Sequence, residues 1–140
     1  MKYLLDTCVI SELTKKKPTT RVIKWMNQQD EFALYLSTIT IGELYKGITK
    51  LPDNQKQQDL QRWVTTDLAR KFTGRILNVN QEVAQQWGIL SANADKKGRP
   101  LPVLDGLLAA TAHVFGLTFI TRNVSHVEIT GIPIINPWTA

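Results

Sequence analysis

The sequence predicts an α/β domain in which a central, mostly parallel sheet carries helices on both faces. Three observations lead there. Short apolar runs (Lys2–Thr7, Phe32–Ser37, Arg75–Val79, Thr118–Thr121 and Ile132–Ile135) are separated by segments whose apolar residues recur at helical spacing. The first run opens at residue 2, which leaves no room for a leader, so this strand is expected in the middle of the sheet with later segments on either side. Polar residues, carboxylates above all, fall just beyond the run ends, at the edge where open α/β sheets place their ligands.

Taken in order, Lys2–Thr7 climbs into Asp6. Thr7–Leu13 then has Val9, Ile10 and Leu13 on one helical face, with Asp6 or Thr7 to cap it. Lys15–Lys17 and Pro18 end that helix, and Thr19 or Thr20 caps a second one bearing Val22, Ile23, Trp25 and Met26. After Phe32–Ser37, one of Ser37, Thr38 and Thr40 starts a helix with Ile41, Leu44, Tyr45 and Ile48. Leu51–Asn54 is a turn before a long polar helix, Gln55 to Phe72, striped by Leu60, Trp63, Val64 and Leu68 and broken by Gly74. Asn80 caps a helix with Val83, Ala84, Trp87, Leu90 and Ala94, and Lys96–Pro102 is a basic loop. Asp105 opens an alanine-rich helix, Gly106–Phe115, that Gly116 closes. The final run holds Pro133 and is expected at an edge.

The chain has 140 residues, 43% hydrophobic and 21% charged, enough for one domain over 1–140 with a sizeable core. A net charge of +5 favours acidic partners, nucleic acid first. One cysteine rules out an intrachain disulfide, and the expected setting is a reducing cytoplasm. Asp6 interrupts the first apolar run too early for a signal peptide, and no stretch approaches a membrane span.

Asp6 at the end of the first strand, Glu43 in the first turn of the third helix, Asp105 at the start of the alanine-rich helix and Asn123 after the strand that follows it all fall at the sheet's carboxyl edge. Singly, Asp6 and Asp105 read as helix caps, and Thr40 with Glu43 fits a capping box. Jointly, carboxylates brought to one edge repel one another, and a cation relieves that repulsion. Oxygen donors with few histidines suit Mg²⁺ or Mn²⁺.

The stretches Leu5–Leu13, Ser37–Ile48, Asp105–Ala112 and Thr121–Val124 together resemble the PIN domain, and within it the VapC-type toxins of bacterial toxin–antitoxin pairs. The resemblance runs the whole length. It implies a three-layer α/β/α sandwich and a metal-dependent endoribonuclease. Asp6, Glu43 and Asp105 would be its acidic core, holding Mg²⁺ or Mn²⁺, with Asn123 as a neutral fourth candidate. It also implies a homodimer, and a VapB-type antitoxin whose tail blocks the site. The reaction would be phosphodiester hydrolysis by a water activated at the metal. Lys46, three residues beyond Glu43, and Arg122, beside Asn123, are candidates to grip RNA; Lys15–Lys17 and Lys96–Arg99 are looser ones, better read as solvated charge.

Two positions depart from the family. Cys8 stands where Asn is usual; it reads as a packed thiol, though a helix N-terminus can lower a thiol pKa. Ser125-His126-Val127 replaces the usual Asp-Phe pair, so His126 could touch RNA or a metal-bound water, with a solvated loop histidine as the plainer reading. An aspartyl phosphatase would want a second acid at Cys8, and a phosphoacceptor domain an acid pair on the first strand; neither is present. The remaining alternative is a PIN-like module that binds RNA or protein without turnover.

Overall fold

Neighbouring residues of a strand face opposite sides of its sheet. In the computed structural model, which describes residues 1–140, this alternation sorts the core into two layers. In β1 (Tyr3–Leu5), Leu5 joins a cluster with Leu34, Leu36 and Ile120, while Leu4 joins the opposite one with Phe119. The strands β2 (Leu34–Ser37) and β4 (Thr118–Ile120) are thus buried on both faces, which explains their near-continuous apolar runs. Trimming Leu5 or Ile120 to Ala would cost roughly 2–5 kcal/mol.

The sheet has five parallel strands in the order β3-β2-β1-β4-β5, where β3 is Ile76–Leu77 and β5 is Ile134–Ile135. The first strand lies at the centre, and the proline-preceded last strand forms an edge, as expected. On one face, Val9 and Ile10 of α1 (Thr7–Glu12), Val22 and Met26 of α2 (Thr20–Asn27) and Leu44 and Ile48 of α3 (Thr38–Thr49) cover the sheet. Beyond them, α4 (Gln55–Arg62) passes through a π-helical stretch, Trp63–Leu68, into α5 (Ala69–Lys71) as one continuous rod. Leu108, Ala109 and Ala112 of α7 (Val103–Phe115) and Val127 of α8 (Val124–Val127) cover the other face, and α6 (Gln81–Lys96) packs on α7. The chain therefore leaves β1 along one face and returns to β4 along the other. That reversal opens a crevice at the carboxyl ends of β1 and β4.

Three expectations need correction. Phe32 is outside the strand: Glu31–Ala33 forms a 3₁₀ turn, capped by Asp30, whose carboxylate accepts from the Phe32 amide. The buried Arg75 causes this by donating to the Glu31 and Leu34 carbonyls at 2.6 Å each, and the exposed Phe32 ring lies over its guanidinium. Helix α3 starts directly at Thr38, with Ser37 Oγ accepting from the Ile39 amide at 3.0 Å. Glu43 is therefore in the second turn, not the first, and the Thr40–Glu43 capping box does not form. Helix α7 begins at Val103, because the Gly106 amide reaches back to the Pro102 carbonyl at 2.8 Å. Asp105 is then the third helical residue and caps nothing. Gly116 does close α7, at φ 66°.

Candidate active site

The register of β1 against β4 pairs Leu5 with Ile120, and the Asp6 amide donates to the Ile120 carbonyl, so Asp6 and Thr121 leave the sheet side by side. Thr121 is fully buried and donates to Asp6 Oδ2 at 2.6 Å; its Oγ1 also accepts from the Asn123 amide at 3.0 Å. Asp6 Oδ1 accepts from the Thr7 amide at 2.7 Å, so this acid is a helix cap as well as a site residue. Burial pushes the Asp6 carboxyl above the usual range. The Thr121 and Thr7 hydrogen bonds pull it back, and the charge of Asp105 pushes it further up.

Thr7 joins the next acid to the site. Its hydroxyl donates to Glu43 Oε1 at 2.6 Å and lies 3.2 Å from Thr40 Oγ1, which ties the start of α1 to α3. Asp105, projecting from the first turn of α7, meets His126 Nδ1 at 2.9 Å. His126 is thus no free loop histidine: it sits on α8 and holds a site carboxylate.

Asp6, Glu43, Asp105 and Asn123 line one cavity of about 370 Å³. Arg122 shares its rim, stacked 4.9 Å over the Trp138 ring. Larger cavities flank α2 near Thr20, Lys24 and Gln28, and neither is lined by an Asp or Glu side chain. Lys46 lies exposed on α3 and does not line the acid cavity. Cys8 does, with its thiol 3.6 Å from Asp6 Oδ2. Burial, then the Asp6 charge, push that thiol up to about 12, the reverse of the lowering that a helix N-terminus can produce. It stays protonated, a weak donor to Asp6 rather than a thiolate ligand.

The donor chemistry fits a hard divalent cation: three carboxylates from three separate elements, two of them raising each other's energy by like charge. No three of the His, Cys, Asp and Glu side chains converge tightly enough, as placed, to form a ready-made metal centre. Each acid is instead held by its own partner, Asp6 by Thr121, Glu43 by Thr7 and Asp105 by His126. Those contacts engage Glu43 Oε1 and Asp105 Oδ2, and the second oxygen of each of these two carboxylates makes no hydrogen bond.

Sequence reasoning missed the part of Thr7 and Thr121, which set the acids, and of Glu12 and Trp138 in the cavity wall; Lys15, one of the looser basic candidates, also lines the cavity. Thr7 and Thr121 each follow a strand end closely, a visible signal, but only the register says which acid each one meets.

A family model described as the PIN domain matches residues 3–131. "VapC ribonuclease Y4jK" of Sinorhizobium fredii is 36% identical over 135 residues, covering 96% of both chains. "Toxin FitB" of Neisseria gonorrhoeae is 33% identical, over 96% of this chain and 97% of its own. The crystal structure of FitAcB from the same organism superposes with a TM-score of 0.94 at 33% identity, covering 99% of both chains.

Proposed function

The chain belongs to the PIN domain family, and on that premise we propose that it is the toxin of a type II toxin–antitoxin pair, an endoribonuclease that hydrolyses RNA phosphodiester bonds with the help of Mg²⁺ or Mn²⁺. The observation that carries the reading is the convergence of Asp6, just beyond β1, Glu43 of α3 and Asp105 of α7 on one cavity in a basic protein. The whole-length likeness to proteins named VapC ribonuclease and toxin FitB supports it.

Asp6, Glu43 and Asp105 would hold the cation, with Asn123 beside them as a neutral oxygen donor. When bound, the ion would offset charge on the phosphoryl oxygens and acidify a water for in-line attack. The chain's own residues prepare for this. Thr121 and Thr7 hold the buried Asp6 carboxyl in place by donating to it, and those bonds oppose the upward push of burial on its pKa. Thr7 fixes Glu43, and His126 fixes Asp105. Arg122, held over the Trp138 ring, would offer its guanidinium to a flanking phosphate.

A VapB-type antitoxin is the expected inhibitor, a cation on its tail entering the acid cavity, and a homodimer the expected assembly. No helix is long and apolar enough to cross a membrane; the reading sets the protein to work in the cytoplasm, beside its RNA.

The test is a metal-titrated cleavage assay on the purified chain, with and without the product of the neighbouring gene. Mg²⁺ or Mn²⁺ should support cutting, EDTA should stop it, and the neighbour should copurify and silence it. RNA binding without cutting at any metal concentration would favour the non-catalytic module. A neighbour that neither binds nor relieves toxicity would refute the toxin assignment.

A further inference from the structure

Resting on the ribonuclease reading, we propose that Lys15 contacts an RNA phosphate at the mouth of the acid cavity and that the buried Glu12 is the positioning residue that aims it there. Glu12 is the last residue of α1 and only 1% exposed. Its Oε1 accepts from both the Thr19 amide, at 2.8 Å, and the Thr19 hydroxyl, at 2.6 Å. Its Oε2 meets Lys15 Nζ at 2.9 Å. Both Glu12 and Lys15 line the same cavity as Asp6, Glu43 and Asp105.

Glu12 is thus a fourth carboxylate in the wall, yet not a free ligand, because both oxygens are engaged. The Lys15 and Thr19 bonds hold its carboxyl down at about 2, against the cost of burial, so the anchor stays charged. An ammonium group has three protons, and the ion pair with Glu12 uses one. The Lys15 side chain is 54% exposed, so the remaining protons of Nζ are open to a ligand while Glu12 holds that nitrogen. Its neighbour Lys16 is exposed and forms no ion pair, so of the three consecutive lysines only the first is both held and at the cavity. An RNA strand entering a cavity walled by carboxylates meets repulsion, and a cation fixed at the mouth counters it.

If the Glu12–Lys15 pair merely clips α1 to the following loop, Lys15 will affect stability and not the salt dependence of RNA binding. The experiment therefore follows a fluorescein-labelled single-stranded RNA of mixed sequence by anisotropy, in EDTA, over a salt series, using the full-length chain. Lys15→Met should weaken binding roughly two- to fivefold, the scale of one exposed ion pair. It should also reduce the slope of log affinity against log salt by about 0.7, one single-strand phosphate contact. Lys15→Arg should restore both. Lys16→Met, with the same change in net charge, should resemble wild type. Glu12→Gln should weaken binding when Lys15 is present and add nothing to Lys15→Met, a non-additivity that marks action through Lys15. An unchanged slope in Lys15→Met, or an equal change in Lys16→Met, overturns the proposal. Wild type that binds with a Lys15-dependent slope but never cuts RNA under Mg²⁺ or Mn²⁺ would sustain Lys15 and sink the ribonuclease reading. Cutting with an indifferent Lys15 would do the opposite, and no RNA binding at all would overturn both.

Discussion

Asp105→Asn separates chemistry from architecture. Asp105 caps no backbone amide, and its one polar contact is His126 Nδ1 at 2.9 Å, which an Asn carbonyl can accept equally well if that nitrogen carries the proton. Two opposing electrostatic effects remain. Removing the charge sacrifices its favourable interaction with the helix N-terminus, about 0.3–1 kcal/mol. It also relieves the repulsion that raises the Asp6 carboxyl. The net change in metal-free stability should stay within about 1 kcal/mol, or roughly 2–4 °C of midpoint for a chain of this size. Activity should fall by at least about 100-fold, because even supporting residues of metal sites commonly cost 10–100-fold. Mg²⁺ should raise the wild-type midpoint and barely move the mutant, since only a binding-competent native state gains from the ion. The assay is paired: RNA cleavage rate, and thermal midpoint in EDTA and in Mg²⁺. Near-wild-type cleavage would refute Asp105 as a ligand. A midpoint loss well beyond 4 °C in EDTA would refute the argument that its side chain is structurally dispensable.

Thr121→Val keeps shape but removes the donor to Asp6 and the acceptor for the Asn123 amide, so it should cost about 1–3 kcal/mol. Because the Thr121 bond lowers the Asp6 pKa, the acid limb of the cleavage profile should move to higher pH; an unmoved limb would contradict the assigned role. Glu12 provides an acid-stability prediction of definite sign. Its folded pKa of about 2 lies below the ordinary 4.5, so its contribution is fully present above pH 4.5 and drains as pH falls towards 2. The midpoint gap between wild type and Glu12→Gln should therefore shrink through that window, and a gap independent of pH would remove Glu12 as the cause.

The layered α/β plan was legible because β1, β2 and β4 are buried on both sides, and such strands announce themselves as apolar runs. The edge place of β5 followed from Pro133, which cannot donate to a ladder from inside a sheet. The acids were legible as residues but not as neighbours in detail. Asp105 and Glu43 both matched helix-start patterns, and the true starts at Val103 and Thr38 came from Pro102 and Ser37. Phe32 looked like strand because nothing local reveals that Arg75, over forty residues away, claims the Glu31 and Leu34 carbonyls. The threonine clamps on Asp6 and Glu43 and the Glu12–Lys15–Thr19 cluster depend on side chains meeting across elements or turns, which a periodic pattern does not encode.

The central claim is that Asp6, Glu43 and Asp105 form a site for a divalent cation. Titrating Mn²⁺ into the metal-free protein and following the free ion by electron paramagnetic resonance tests it without RNA, antitoxin or turnover. Wild type should bind Mn²⁺ saturably, with Mg²⁺ competing. Asp6→Asn and Asp105→Asn should each weaken binding by roughly tenfold or more, as losing even a supporting contact can. Equal Mn²⁺ binding by wild type and both mutants, or none by any of them, would contradict the account.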